Sequence, residues 1–432
     1  MKKTIIFTLI ALFIASCMPQ NGRIPQSPLL STLERKSGLI AYLGADGNMY
    51  VSDQAGGKQK QLTDDATDPL NPPAEFSTYQ LPTWSTDGNQ LAFMGLSGTS
   101  DEATGRIFVA NIEGDSVNEI FLSKTEFPFY LLWSPDDSNV SFLTTAASGQ
   151  ALILQRASAT GGGESTIIDT GSPYYWSWAP NGSILITHSG GAENSTAPEH
   201  VAFIRFQDAE IIETGLELTP ASFQAPAWSP DGSQIVLTRS EGDKNEIILT
   251  DETGQYIKTL GEFTLNTGFG WSGDSKKVAF IDGLQSMNAG VIGVLNVVDT
   301  ETDENLAIGE NVIAFFWSPD GKRIAYFVPF LPSQEGSGQS SGQFLLQLNM
   351  LDVETGESKE LFTYQPTQQF ASILPYFDQY HQSNTIWSPD NNNLVLSFLD
   401  SEGNPGIAIV AASGQLEPRL LAEGYLAFWS WK

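Results

Sequence analysis

Side chains able to do chemistry are few and scattered in this 432-residue chain. Gly338-Gln339-Ser340-Ser341-Gly342 matches the G-x-S-x-G pattern of an activated serine. It stands inside SQEGSGQSSGQ, a low-complexity stretch with no strand leading in and no helix leading out, so no nucleophile is assigned. The three histidines, His188, His200 and His381, form no HExxH and have no cysteine partners, so neither a zinc site nor a histidine-based triad is expected. His188 and His200 flank HSGGAENSTAPEH and read as solvated loop residues. Asp64, Asp65 and Asp68, with Glu75, come nearest to the oxygen-rich ligand set of calcium. They lack the spaced D-x-D-x-D-G pattern and read as a solvated loop, so no metal or cofactor is assigned. Nothing pairs carboxylates at the separation glycosidic acid–base chemistry needs. The expectation is a protein without catalytic activity, with a lyase or hydrolase built from carboxylates of several repeats as the alternative.

The formal net charge of −29 excludes a phosphate-backbone ligand, which demands a basic surface. Charged residues make up only 16% and aromatics 11%, with 40 Gly and 23 Pro, a strand-and-turn composition. Met1-Lys2-Lys3 followed by the apolar TIIFTLIALFI reads as a secretory signal. Ile14-Ala15-Ser16-Cys17 then resembles the bacterial lipobox, which implies cleavage before Cys17 and lipid attachment to its sulfur. Cys17 is the single cysteine, so no internal disulfide is possible. Residues 1–16 are assigned to the signal peptide and 17–36 to a flexible tether. The expected location is extracytoplasmic, at the cell surface or in the periplasm, held to the membrane by the lipid alone.

What must position any site is a repeat. TWSTDGNQLAF, LWSPDDSNVSF, SWAPNGSILIT, AWSPDGSQIVL, GWSGDSKKVAF, FWSPDGKRIAY and IWSPDNNNLVL carry Trp84, Trp133, Trp178, Trp228, Trp271, Trp317 and Trp387, and the terminal FWSWK adds Trp429. Successive tryptophans lie 49, 45, 50, 43, 46, 70 and 42 residues apart, a period of radial or stacked repeats. In each unit a strand ends at Trp-Ser and a tight turn follows. Pro pre-sets its φ, Gly tolerates its left-handed position, and Asp87, Asp136, Asp231, Asp320 or Asp390 bonds its backbone. Three more strands complete a four-stranded blade, with the tryptophans packed between neighbouring sheets. Before Trp84 stand strands two to four of a unit, and GYLAFWSW supplies an unmatched first strand. The expected fold is all-β, residues 37–432 forming a single eight-bladed propeller closed by pairing the C-terminal strand with the N-terminal blade. A monomer is expected.

The WSPDG turn followed by an apolar strand resembles the WD-like repeat of TolB-type propellers, seen also in prolyl oligopeptidases and dipeptidyl peptidases. The resemblance spans residues 37 to 432 and implies the fold; propellers host many unrelated activities. Neither the Tol role nor peptidase activity is expected to carry over. Too few residues separate Cys17 from Gly38 for the small TolB domain, and no hydrolase domain follows the closing strand.

Function is expected where the repeats differ. The turns on the Trp side are short, whereas the long loops 63–81, 327–343 and 364–384 all fall on the opposite face. Phe76, Tyr79, Phe330, Phe370, Tyr376, Phe377, Tyr380 and His381 in these loops are the candidate ligand-binding residues. Aromatics beside Gln, Asn and Asp suit a protein hot spot or sugar stacking. The expected partner is a protein of the cell envelope, or alternatively a surface glycan.

Overall fold

A computed structural model describes residues 36–432 apart from 69–72, 100, 115, 146–148, 150, 163, 191–197, 208–209, 288–289 and 331–343. The signal peptide, Cys17, the tether up to residue 35, the G-x-S-x-G stretch and most of loop 327–343 therefore lie outside the described residues. The rest is all-β: thirty strands, with two short α-helices and one 3-10 turn among the described residues.

The strands form five four-stranded antiparallel sheets and one of ten strands. The four-stranded sheets run over 75–123, 128–171, 174–215, 227–263 and 269–312, each beginning with a strand that ends at a repeat tryptophan. The ten-stranded sheet joins 314–366 and 393–429 to the N-terminal strands of 40–61. Its joint is the strand Arg419–Trp429. The first half of that strand pairs with Pro405–Ala411, as in Gly406 with Glu423; the second half pairs with Ile40–Gly44, Ile40 opposite Trp429. Trp387 sits in no regular strand and is held by bridges from Trp387 to Leu394 and from Thr385 to Trp429.

Local chemistry explains the turns. Ser229 Oγ donates to Asp231 Oδ1 at 2.6 Å and accepts from Gln234 N at 3.0 Å; Asp231 Oδ1 also accepts from Ser233 N. Gly232 takes the left-handed position, φ +76°. The same serine-to-aspartate bond recurs at Asp87, Asp136, Asp320 and Asp390, and at Asp274, which the altered turn sequence WSGDS hides. Three units put Asp137, Ser275 or Asn391 at the left-handed position, and each reaches the turn of the preceding unit. Asp137 accepts from Thr86 N and Asp87 N, Ser275 from Asp231 N, and Asn391 from Asp320 N. The departures from Gly thus tie neighbouring turns together.

The tryptophans tie neighbouring sheets. Trp133 Nε1 donates to Thr83 O, Trp271 to Ala227 O, Trp317 to Gly270 O and Trp387 to Phe316 O, each acceptor immediately preceding the tryptophan of the unit before. Trp178 reaches Leu132 O through Ser141 Oγ, which accepts the indole and donates to that carbonyl. Burying the ring supplies the apolar area, and the N–H satisfies a strand carbonyl that would otherwise face apolar neighbours.

Candidate functional site

The loop expected over 364–384 is a folded insert. It comprises α1 (Gln368–Ile373), a 3-10 turn (Leu374–Tyr376) and α2 (Phe377–Ser383). Thr367 caps α1, its Oγ1 accepting from Phe370 N at 3.3 Å and donating to Tyr425 O at 2.6 Å. From there the insert reaches the leading strands of successive sheets. Gln379 bonds both backbone groups of Trp176, and its carbonyl accepts from Tyr130 OH at 2.9 Å. Asp378 Oδ2 accepts from Ala225 N at 2.8 Å, and Gln382 donates to Pro226 O. Phe377 packs on Phe315, ring centroids 4.9 Å apart, and Phe370 on Phe327 at 5.6 Å. The approach depends on small neighbours: a Cβ on Gly270 would lie 2.6 Å from the His381 ring, and one on Gly268 2.8 Å from Phe377. Leading strands of adjacent sheets touch one another, while Leu122, Ile167, Ile212 and Leu420 on fourth strands are exposed. The insert therefore packs on the leading strands of several sheets.

Its polar groups are unusual for a plug. Burial pushes the Asp378 carboxyl up to about 7, against the pull of the Ala225 and Gln379 N–H groups. Burial pushes the His381 imidazole down to about 4. No lysine or arginine pairs with Asp378 among the described residues.

Several expectations need correction here. Phe370 and Phe377 are 0% and 1% exposed, so their rings are core of the insert and unavailable for ligand stacking. His381 is half-buried, its ring close to the Gly270 backbone. Tyr380 is half-buried, edge-on to Tyr130 at 5.0 Å. Tyr79 is buried and Phe76 half-buried on the strand Glu75–Trp84, beside a polar cleft of about 570 Å³ that includes Asp65 and Arg106. Phe330, 43% exposed, ends the strand Arg323–Phe330, and Tyr376 is 39% exposed. Asp65 accepts from the Tyr79 hydroxyl. With Asp64 and Asp68 it belongs to no group of three metal-ligating side chains among the described residues. His188 and His200 do not meet: His188 is fully buried on Glu199 and Gln224 O, and His200 contacts Glu213.

The insert builds an aromatic cleft of about 580 Å³ with the sheets of Trp133 and Trp178. Its lining includes the exposed Tyr376 and Phe129, Tyr130 edge-on to Tyr380, and Tyr175 stacked on Phe223 at 4.6 Å. Phe129, Tyr175 and Phe223 escaped the reading of loop lengths because none lies in a long loop: Phe129 and Tyr175 are in leading strands and Phe223 is in a short connection. Their signal is position: each is an aromatic three to five residues before a repeat tryptophan, where the chain enters its leading strand from the insert side.

No family model matches the chain, and no curated protein does. Among solved structures it is similar to the dihydro-heme d1 dehydrogenase NirN in complex with DHE, with a TM-score of 0.53 and 12% identity over 96% of this chain and 78% of that one. It is also similar to the β-propeller domain of the Trilobed protease from Pyrococcus furiosus, with a TM-score of 0.47 and 13% identity over 81% and 99%. A third is TolB from Acinetobacter baumannii, with a TM-score of 0.37 and 16% identity over 79% and 82%. These likenesses are of fold: the chain is a WD-like, TolB-like β-propeller. They also overturn the expectation of a protein that is no enzyme, since a dehydrogenase stands among the neighbours and the fold excludes nothing catalytic.

Proposed function

We propose that this chain is a lipid-anchored, extracytoplasmic propeller of eight blades in one closed ring, binding a protein partner on the face that carries the insert. The blade count rests on eight Trp-bearing units and on the pairing of Ile40–Gly44 with the second half of Arg419–Trp429. The lipid anchor rests on the residues around Cys17. The described chain begins at Lys36, paired with Asp53, and Gly38 packs against Trp429 and Ser430 on the Trp-turn side.

One observation carries the binding reading: Leu265, Leu284 and Phe330 are exposed large apolar side chains on the face that carries the insert. Isolated surface apolars are ordinary, but a group on the most elaborated face is the pattern of an interaction surface. A protein fits better than a glycan because these side chains bring surface without hydrogen-bonding groups. The test is capture from the native envelope with Leu265→Glu/Leu284→Glu/Phe330→Glu beside Ile167→Glu, an equal change on an outer strand. Loss of the captured protein with the triple variant alone supports the reading; equal capture by both variants and the parent overturns it.

A further inference from the structure

The cleft between the insert and the sheets of Trp133 and Trp178 goes beyond protein docking. We infer that it is a binding site for a small soluble ligand carrying an alkylated, quaternary ammonium group.

Three observations converge on that chemistry. First, the lining is rich in aromatics: Phe129 and Tyr376 are exposed, and Tyr175 stacks on Phe223. Aromatic faces attract a cation placed against them, most strongly where water is excluded. Second, several of the cleft's hydrogen-bonding groups are already committed. Gln379 uses its amide on Trp176 and Tyr130, Tyr130 OH donates to Gln379 O, and Tyr174 OH donates to Asp169 at 2.7 Å. An alkylated ammonium group asks for no hydrogen bond from them. Third, the electrostatics favour a cation. No lysine, arginine or histidine lines the cleft among the described residues, so no fixed positive charge opposes a cation there. His188, behind Phe223, is paired with the Glu199 carboxylate. A chain of net charge −29 raises the local concentration of cations and repels anions.

The test is calorimetric titration of the folded protein with choline and, separately, with 3,3-dimethylbutan-1-ol, which has the same shape without the charge. Choline is expected to bind about tenfold or more tightly than its neutral counterpart, a ratio within the range of a desolvated cation–π contact. Tyr376→Leu and Phe129→Leu keep the site apolar but remove a π face. Each should weaken choline several-fold and leave the alcohol nearly unchanged, with the thermal transition intact. Equal binding of both compounds would make the cleft merely apolar and overturn the inference, as would no binding of either. Binding to phosphatidylcholine vesicles without binding to free choline would overturn the assignment to a soluble ligand. Since Leu265, Leu284 and Phe330 lie outside the cleft, failure of the protein-docking reading leaves this titration unaffected.

Discussion

The indole Nε1 of Trp84 donates to the carbonyl oxygen of Phe428 at 3.2 Å, across 344 residues of sequence. This is the bond that Trp133 makes to Thr83, and it joins the first complete sheet to the last strand of the chain. Trp228 is the contrast: its Nε1 is buried with no acceptor among the described residues. Trp84→Phe and Trp228→Phe remove the same atoms from equivalent places, yet only the first strands a buried carbonyl. Chemical denaturation should show Trp84→Phe costing about 1–3 kcal/mol more than Trp228→Phe. Equal losses would mean that the indole bonds contribute nothing beyond ring packing.

Asp378 and His381 are linked to pH with opposite signs. Folding raises the Asp378 carboxyl from its ordinary value to about 7, so the folded state holds a proton the unfolded state lacks, and stability falls as pH rises from about 4 to 7. Folding lowers His381 to about 4, so the unfolded state holds the extra proton, and stability rises between about 4 and 6.5. The terms are of order 4 and 3 kcal/mol and nearly cancel over the shared window. Asp378→Asn should expose a stability that climbs with pH from 4.5 to 6.5, and His381→Gln one that declines. Parallel profiles for the two variants would refute the pairing.

Asp137 tests the ties between turns. It occupies a left-handed position, φ 56°, and accepts from the Thr86 and Asp87 backbones. Gly there relieves the dihedral but removes these bonds and the one from Thr86 Oγ1, so Asp137→Gly should cost about 1 kcal/mol net and Asp137→Ala more, read by urea midpoints. A stabilising Asp137→Gly would show the dihedral to matter more than the contact.

The seat of the insert admits no side chain at Gly270. Gly270→Ala should push His381 and α2 outward, costing about 1–3 kcal/mol and opening residues 364–384 to limited proteolysis. An unchanged digestion pattern would mean that the insert adjusts without leaving its seat.

The repeat was legible because its chemistry is local. Ser, Asp and Gly within five residues build one turn, and a tryptophan at a fixed offset needs only a neighbouring sheet. The long loops were legible as departures in spacing. The conformation of 364–384 was not, because α1 and α2 are six and seven residues long, too short for a helical period to emerge. What folds them is tertiary: Gln379 on Trp176, Asp378 on Ala225, and Phe377 over Gly268. Phe370 and Phe377 accordingly look like surface aromatics in sequence and are core in space. Asp378 and His381 acquire their shifted values only from the sheets that bury them.

We propose that eight Trp-bearing units close into one ring, with the insert filling its inner end. Electron cryo-microscopy of the full chain, at a resolution that separates blades, tests this most directly. The expected result is eight blades in projection, no open seam between the strands 40–44 and 424–429, and density at the centre that disappears when 367–384 is replaced by a short Gly/Ser link. Seven or nine blades, an open seam, or an empty channel in the parent would contradict it.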